Sequence, residues 1–147
     1  MTQIDFYILS AQLSEQRLEF ACRLIQKAYR SRCKILVQLD DETQAKGFDD
    51  LLWSYSESSF IPHRLISDSE TTDSNCPVQI AFGDQQPAHF DVLINLSKTI
   101  PNTFARYNRV LEIVIQQDDV LEFTREHYRF YKERGYPMNN IDMRISD

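Results

Sequence analysis

Short apolar runs of strand length alternate along this chain with longer segments whose apolar residues recur every three or four positions. Residues 4–9, IDFYIL, form the first such run and predict a strand. Residues 14–30 follow with Leu18, Ala21, Leu24, Ile25 and Ala28 at helical spacing, and Ser14 is placed to cap that helix. Residues 34–39, KILVQL, predict a second strand, after which Asp40 and Asp41 open a second helix with Ala45, Phe48, Leu51 and Leu52 as its inward positions. Strand, helix, strand, helix at this spacing is the pattern of a parallel sheet with crossover helices. Residues 67–75, SDSETTDSN, lack large apolar side chains and read as a surface loop. Beyond it, residues 78–82, 91–96 and 109–115 predict three more strands. Asp118 and Asp119 then start a last helix with carboxylates at its positive end, resting on Val120, Phe123, His127, Phe130 and Tyr131. With no repeat or linker, the expectation is one domain over residues 1–147. Its fold class is α/β, a Rossmann-like, mostly parallel sheet flanked by helices. Residues 138–147 read as a C-terminal tail without an assigned role.

Composition agrees with a globular chain of this size: of 147 residues, 42% are hydrophobic, 26% charged and 12% aromatic. A net charge of −6 argues against a surface that tracks nucleic acid along its length, because phosphate binding needs an extended positive footprint. Cys22, Cys33 and Cys76 are odd in number and widely spaced, which suggests neither a disulfide framework nor a zinc site. Residues 1–10 do not resemble a signal peptide, and no apolar run approaches 18 residues, so no membrane association and a cytoplasmic location are expected.

A Rossmann-like pattern invites a nucleotide-binding reading, and glycine argues against it. Dinucleotide and P-loop sites need glycines where the backbone approaches phosphate, above all in the first strand-to-helix turn. Here that turn is Ser10-Ala11-Gln12-Leu13, and the chain has only Gly47, Gly83 and Gly135. Asp40 stands where a ribose-binding carboxylate would be, but an N-cap beside Asp41 accounts for it. His63, His89 and His127 lack metal-ligand spacing, and no nucleophile elbow or C-x-x-C is present. No cofactor, metal or catalytic activity is expected.

Two segments invite a binding role. On the last helix Arg125, Tyr128, Arg129 and Lys132 fall within about a 100° arc, while Glu122, Glu126 and Glu133 gather on a separate strip. Three cations and a tyrosine on an acidic protein suit a short, locally recognised anion. The second segment, residues 51–63, sets Trp53 at a helix end and then Phe60 and Ile61 before Pro62. That pattern suggests an extended, partly covered docking patch.

Taken in order, D-F-Y at 5–7, F-A-C-R-L at 20–24, K-A-Y-R at 27–30, D-D-E-x-Q-A at 40–45, L-W-S and S-F-I-P-H within 52–63, D-V-L-I-N-L at 91–96 and R-F-Y-K-E-R-G-Y-P at 129–137 resemble the chi subunit of bacterial DNA polymerase III holoenzyme. The resemblance implies a non-catalytic adaptor of the clamp-loader assembly with a nucleotide-binding-like fold. It implies two partners, the psi subunit and the acidic, apolar-ended C-terminal tail of single-stranded DNA-binding protein; in some bacteria a helicase-like protein competes with psi. Carried over by position, the tail would meet Val114, Arg125, Tyr128, Arg129 and Lys132, near Gly135 and Tyr136. Psi would meet Trp53, Phe60, Ile61 and Pro62. Lys132 stands where relatives are expected to have arginine, which moves the bidentate carboxylate contact toward Arg125. The competing readings are a direct nucleic-acid binder and a degenerate nucleotide-binding enzyme.

Overall fold

All five residues of the strand Ile35–Leu39 are buried, and a strand covered on both faces belongs inside a parallel sheet with helices on each side. The computed structural model, which describes residues 1–55, 61–66, 76–85 and 91–144, has that architecture. Its elements run β1 (Gln3–Ile8), α1 (Ser14–Arg30), β2 (Ile35–Leu39), α2 (Glu42–Tyr55), β3 (His63–Leu65), β4 (Val78–Phe82), β5 (Val92–Asn95), a 3-10 turn (Phe104–Arg106), β6 (Arg109–Val114), α3 (Asp118–Glu133) and β7 (Met138–Asp142). The seven strands lie in the order β3-β4-β2-β5-β6-β1-β7, and every pairing is parallel.

Side-chain alternation divides the core in two. Ile35, Val37, Val78, Ile80, Ile94, Leu111 and Ile113 meet Phe20, Leu24 and Ile25 of α1 and Phe48 and Leu52 of α2. On the opposite face Ile4, Phe6, Leu36, Leu93 and Val110 meet Tyr131 of α3 and Phe104 of the 3-10 turn. Cys22 is fully buried in the first cluster, and burial pushes its thiol up to about 12, which fits its reading as a small apolar side chain.

Five strands and three helices stand where the pattern of apolar positions puts them. The two unexpected strands are the sheet edges. β3 has three residues and β7, MNNID, is largely polar, so neither carries the apolar run that marks a central strand. Residues 138–142 therefore pair with β1 rather than trailing from the fold. The caps differ as well. Leu13, not Ser14, occupies the N-cap of α1, its N–H donating to Gln16 Oε1 at 3.2 Å. Asp41 does cap α2, accepting the Gln44 N–H at 2.9 Å. Asp40 instead accepts the Lys98 N–H at 2.8 Å and so ties the ends of β2 and β5 together. The readings of Phe60, His89 and the loop 67–75 lie outside the described residues.

Both α1 and α3 end in a Schellman arrangement. The Gly135 and Tyr136 N–H groups return to the carbonyls of Lys132 and Tyr131, with Gly135 at φ +77°. At the end of α1 the same pair of bonds runs from Arg32 and Cys33 to Tyr29 and Ala28, but the left-handed position, φ +63°, is held by Arg32. A side chain there costs about 1–2 kcal/mol that glycine avoids, offset in part by the greater freedom of glycine in the unfolded chain. Arg32→Gly is therefore expected to raise stability by about 0.5–1 kcal/mol, measured by urea unfolding; a loss would mean that the arginine side chain makes a stabilising contact.

Candidate functional site

The rotation of α3 about its own axis decides what that helix shows to solvent, and one buried carboxylate controls it. Glu112 lies in the middle of β6 on the α3 face and is 0% exposed. Its Oε1 is 3.0 Å from His127 Nδ1, and its Oε2 accepts the Tyr131 hydroxyl at 2.9 Å and the Asn95 amide at 3.0 Å. His127 Nε2 is 2.8 Å from the Lys98 carbonyl, so both ring nitrogens face acceptors, the arrangement of an imidazolium. Burial alone would lower the His127 pKa. The hydrogen bond and charge of Glu112, together with the Lys98 carbonyl, outweigh it and raise the pKa above 6.5. Burial, then the Glu112 charge, hold the Tyr131 hydroxyl protonated. His127 and Tyr131, at i and i+4, share the inward face with Val120 and Thr124, whose hydroxyl donates back to the Val120 carbonyl at 2.5 Å. Phe123 and Phe130, expected inside, are only half-covered at the margins.

With that face pinned, Arg125, Arg129 and Lys132 point to solvent and Tyr128 sits half-buried at the seam between helix and sheet. Among the described residues none of the three cations has an ion-pair partner. Tyr128 packs edge-on against Phe6 with ring centroids 5.2 Å apart, and its hydroxyl lies 3.4 Å from the Asn140 amide nitrogen. Beside it opens a cleft of about 270 Å³, lined by Phe6, Ile8, Val114 and Leu121, with Arg125, Asn140 and Arg144 also on its walls. The floor follows from strand register. Val114 pairs with Ile8, Ile8 with Asp142, and Phe6 with Asn140, so side chains from β6, β1 and β7 form a surface that α3 overhangs.

The structure thus brings Val114, Arg125 and Tyr128 together in one cleft. Arg129 and Lys132 continue along the same outer face of α3. Gly135 ends the helix, and Tyr136 turns back to pack on Phe104, ring centroids 5.2 Å apart, away from the cleft. The reading of the sequence missed Phe6, Ile8, Leu121, Asn140 and Arg144 as cleft residues, since their convergence depends on β6, β1 and β7 being neighbours. It also missed Glu112, although one carboxylate inside the apolar strand RVLEIV was a visible signal of a buried polar partner.

The second surface lies at the opposite sheet edge. Trp53 is 43% exposed at the end of α2, its ring centroid 4.1 Å from that of His63 on β3. His63 Nε2 is 3.4 Å from Asp49, and its Nδ1 is 2.8 Å from the Ile61 carbonyl. Ile61, expected on the docking patch, is 1% exposed and belongs to the core cluster that includes Phe48 and Leu52 of α2; Pro62 stays half-buried. No group of three metal-ligating side chains occurs among the described residues, and no described helix is long and apolar enough to cross a membrane.

Fold and sheet order define a Rossmann-like, all-parallel α/β protein. Its backbone resembles the solved structure of Mss116p DEAD-box helicase domain 2 bound to an RNA duplex, with a TM-score of 0.64 over 95% of this chain and 62% of that one; at 10% identity, the likeness is one of fold. Within that class, a sequence model described as DNA polymerase III chi subunit, HolC, matches residues 1–139, and the chain belongs to this family of replication proteins. DNA polymerase III subunit chi of Pseudomonas aeruginosa is 35% identical, with 95% of this chain and 96% of the relative covered. The Haemophilus influenzae subunit is 30% identical over 92% and 93% of the two chains, and that of Escherichia coli 27% over 95% and 97%.

The buried pair makes stability depend on pH. A histidine whose folded pKa is raised contributes stability that is fully present below about pH 6.5 and lost as pH rises through the folded value. Urea unfolding is expected to show stability falling from pH 6 toward pH 9, and His127→Gln should flatten that slope. Glu112→Gln leaves the imidazolium without its anion and should cost about 3 kcal/mol at pH 6. A loss under about 1 kcal/mol would show that this network does not hold α3.

Proposed function

We propose that this chi-family chain is a non-catalytic, cytoplasmic adaptor of the DNA polymerase III clamp-loader assembly. Its α3 cleft takes the acidic, apolar-ended C-terminal tail of single-stranded DNA-binding protein, and its Trp53 edge takes the psi subunit. The observation that carries the tail reading is the set of three cations without described ion-pair partners beside an apolar-floored cleft, on a chain with net charge −6. A terminal aromatic ring suits the floor of Phe6, Ile8, Val114 and Leu121, with Tyr128 as a wall. Arg125 supplies the planar fork for the terminal carboxylate. The next turns of α3 carry Arg129 about 6 Å and Lys132 about 10 Å further along, roughly the length of two to three extended residues, which suits acidic side chains upstream of the terminus. Those outer pairs are exposed and contribute about 0–1 kcal/mol each, so the expected affinity is roughly micromolar.

For psi, Trp53 is the exposed apolar anchor, packed on His63, the residue after Pro62; a helicase-like competitor would use the same edge. Strands β3 and β7 are the two ends of a seven-stranded sheet, about 29 Å apart at ordinary strand spacing, so the two partners need not exclude each other.

Calorimetry with an acidic, phenylalanine-ended peptide tests the cleft. Arg125→Ala should lose about 1.5–3 kcal/mol of binding, and Arg125→Lys should recover only part of it if planar pairing matters. Wild-type affinity in Arg125→Ala would make the stripe an ordinary solvated face. Single-stranded DNA titrated in parallel at physiological salt should bind far more weakly than the peptide; the opposite order would favour a direct nucleic-acid binder. Trp53→Ala should weaken psi capture by about 2 kcal/mol while leaving the peptide affinity unchanged. Equal loss of both with an unaltered melting curve would mean one shared surface.

A further inference from the structure

The far wall of the α3 cleft is built from Asn140 of β7 and Arg144 just after it, both beyond residue 139 where the family match ends. Register carries Asp142 into the same lateral row as Ile8 and Val114, so its side chain faces the side of the sheet that α3 covers. Arg144, on the cleft wall with Arg125, grips that carboxylate in a fork: Nε donates to Oδ1 at 2.9 Å and Nη2 to Oδ2 at 2.7 Å. The Arg144 backbone N–H adds a third bond to Oδ1 at 3.0 Å. These bonds hold the Asp142 carboxyl down at about 2, so it is an anion at any working pH.

We propose that Arg144 is a second carboxylate-binding residue of the cleft and that Asp142 is its built-in competitor, occupying the guanidinium until an acidic peptide arrives. This rests on the cleft being the peptide site described above. Asp142 does for Arg144 what an incoming carboxylate would do, in the same bidentate geometry. The fork uses two of the five guanidinium N–H groups and leaves three, so a peptide carboxylate can bind beside Asp142 or replace it. The pair is half-exposed, at 48% and 31% of the side chains, and therefore screened by water and salt, which keeps exchange from costing much. Asp142 also sets a negative charge beside the path of an acidic ligand. It weakens binding to all such ligands and leaves the advantage to those that offer Arg144 a better fork. Asn140, exposed two residues earlier on the same face of β7, donates to the Tyr128 hydroxyl beside this wall.

The test uses the full chain, an acidic peptide with a free C-terminal phenylalanine, and the same peptide amidated. Arg144→Ala is expected to weaken the free-acid peptide about fivefold, and Asp142→Asn to tighten it about threefold. Amidation should reduce the Arg144→Ala effect, because the group the fork recognises is then missing. Arg144→Lys should keep the charge but recover only part of the affinity, and thermal melts of all four forms should coincide within a few degrees. Should Arg144→Ala and Asp142→Asn bind as wild type while Arg125→Ala loses the peptide, the β7 wall has no part in recognition and this inference fails alone. If Arg125→Ala also binds as wild type, the cleft is not the peptide site and both readings fall together.

Discussion

A carboxylate buried without access to water must find donors from whatever packs on it, and that requirement organises the α3 side of this molecule. Glu112 lies at the centre of β6 and takes hydrogen bonds from Asn95 on β5 and from His127 and Tyr131 on α3. An apolar helix face can rotate or slide by a fraction of a turn at small cost. One that delivers two side chains, a turn apart, to the two oxygens of one carboxylate cannot. The network therefore sets the phase of the helix, and phase decides that Arg125, Arg129 and Lys132 face water while Tyr128 sits at the seam.

Parallel pairing supplies the other half of the cleft. Because β1 lies between β6 and β7, residues far apart in the chain, Ile8, Val114 and Asp142, fall into one row on one face. The cleft exists because α3 leaves β6 and crosses to β7, and its first turns overhang the carboxyl ends of the strands it connects. The same topology places the short β3, with Trp53 packed on its His63, at the other end of the sheet. Two surfaces on opposite edges of one rigid sheet suit a subunit whose family works inside a larger replication assembly.

In the proposed role, the net charge of −6 would make the cleft selective. On a strongly basic protein three exposed cations would be unremarkable and would attract any polyanion. Here they form a small positive area on an acidic surface, which favours a short acidic ligand over the long phosphate backbone of nucleic acid. The first strand-to-helix turn, Ser10-Ala11-Gln12-Leu13, also lacks the glycines typical of a dinucleotide or P-loop cradle.

Much of this was legible in the residues. The two-sided apolar runs of β2, β4, β5 and β6 cannot be covered except inside a parallel sheet, and the 3.6-residue spacing of α1, α2 and α3 places the helices without ambiguity. The stripe of Arg125, Tyr128, Arg129 and Lys132 is a property of one helix, so spacing alone reveals it. Edge strands escaped because half of their hydrogen-bonding edge meets solvent, and β3 and β7 need no apolar run to be there. Ile61 escaped because a residue before proline reads as extended whether its side chain turns inward or outward. The role of Asp40, the partners of Glu112 and the joining of Asn140, Asp142 and Arg144 to Arg125 were decided by tertiary structure alone. Each depends on which strands lie side by side, and that order is set by long-range packing that no local pattern records.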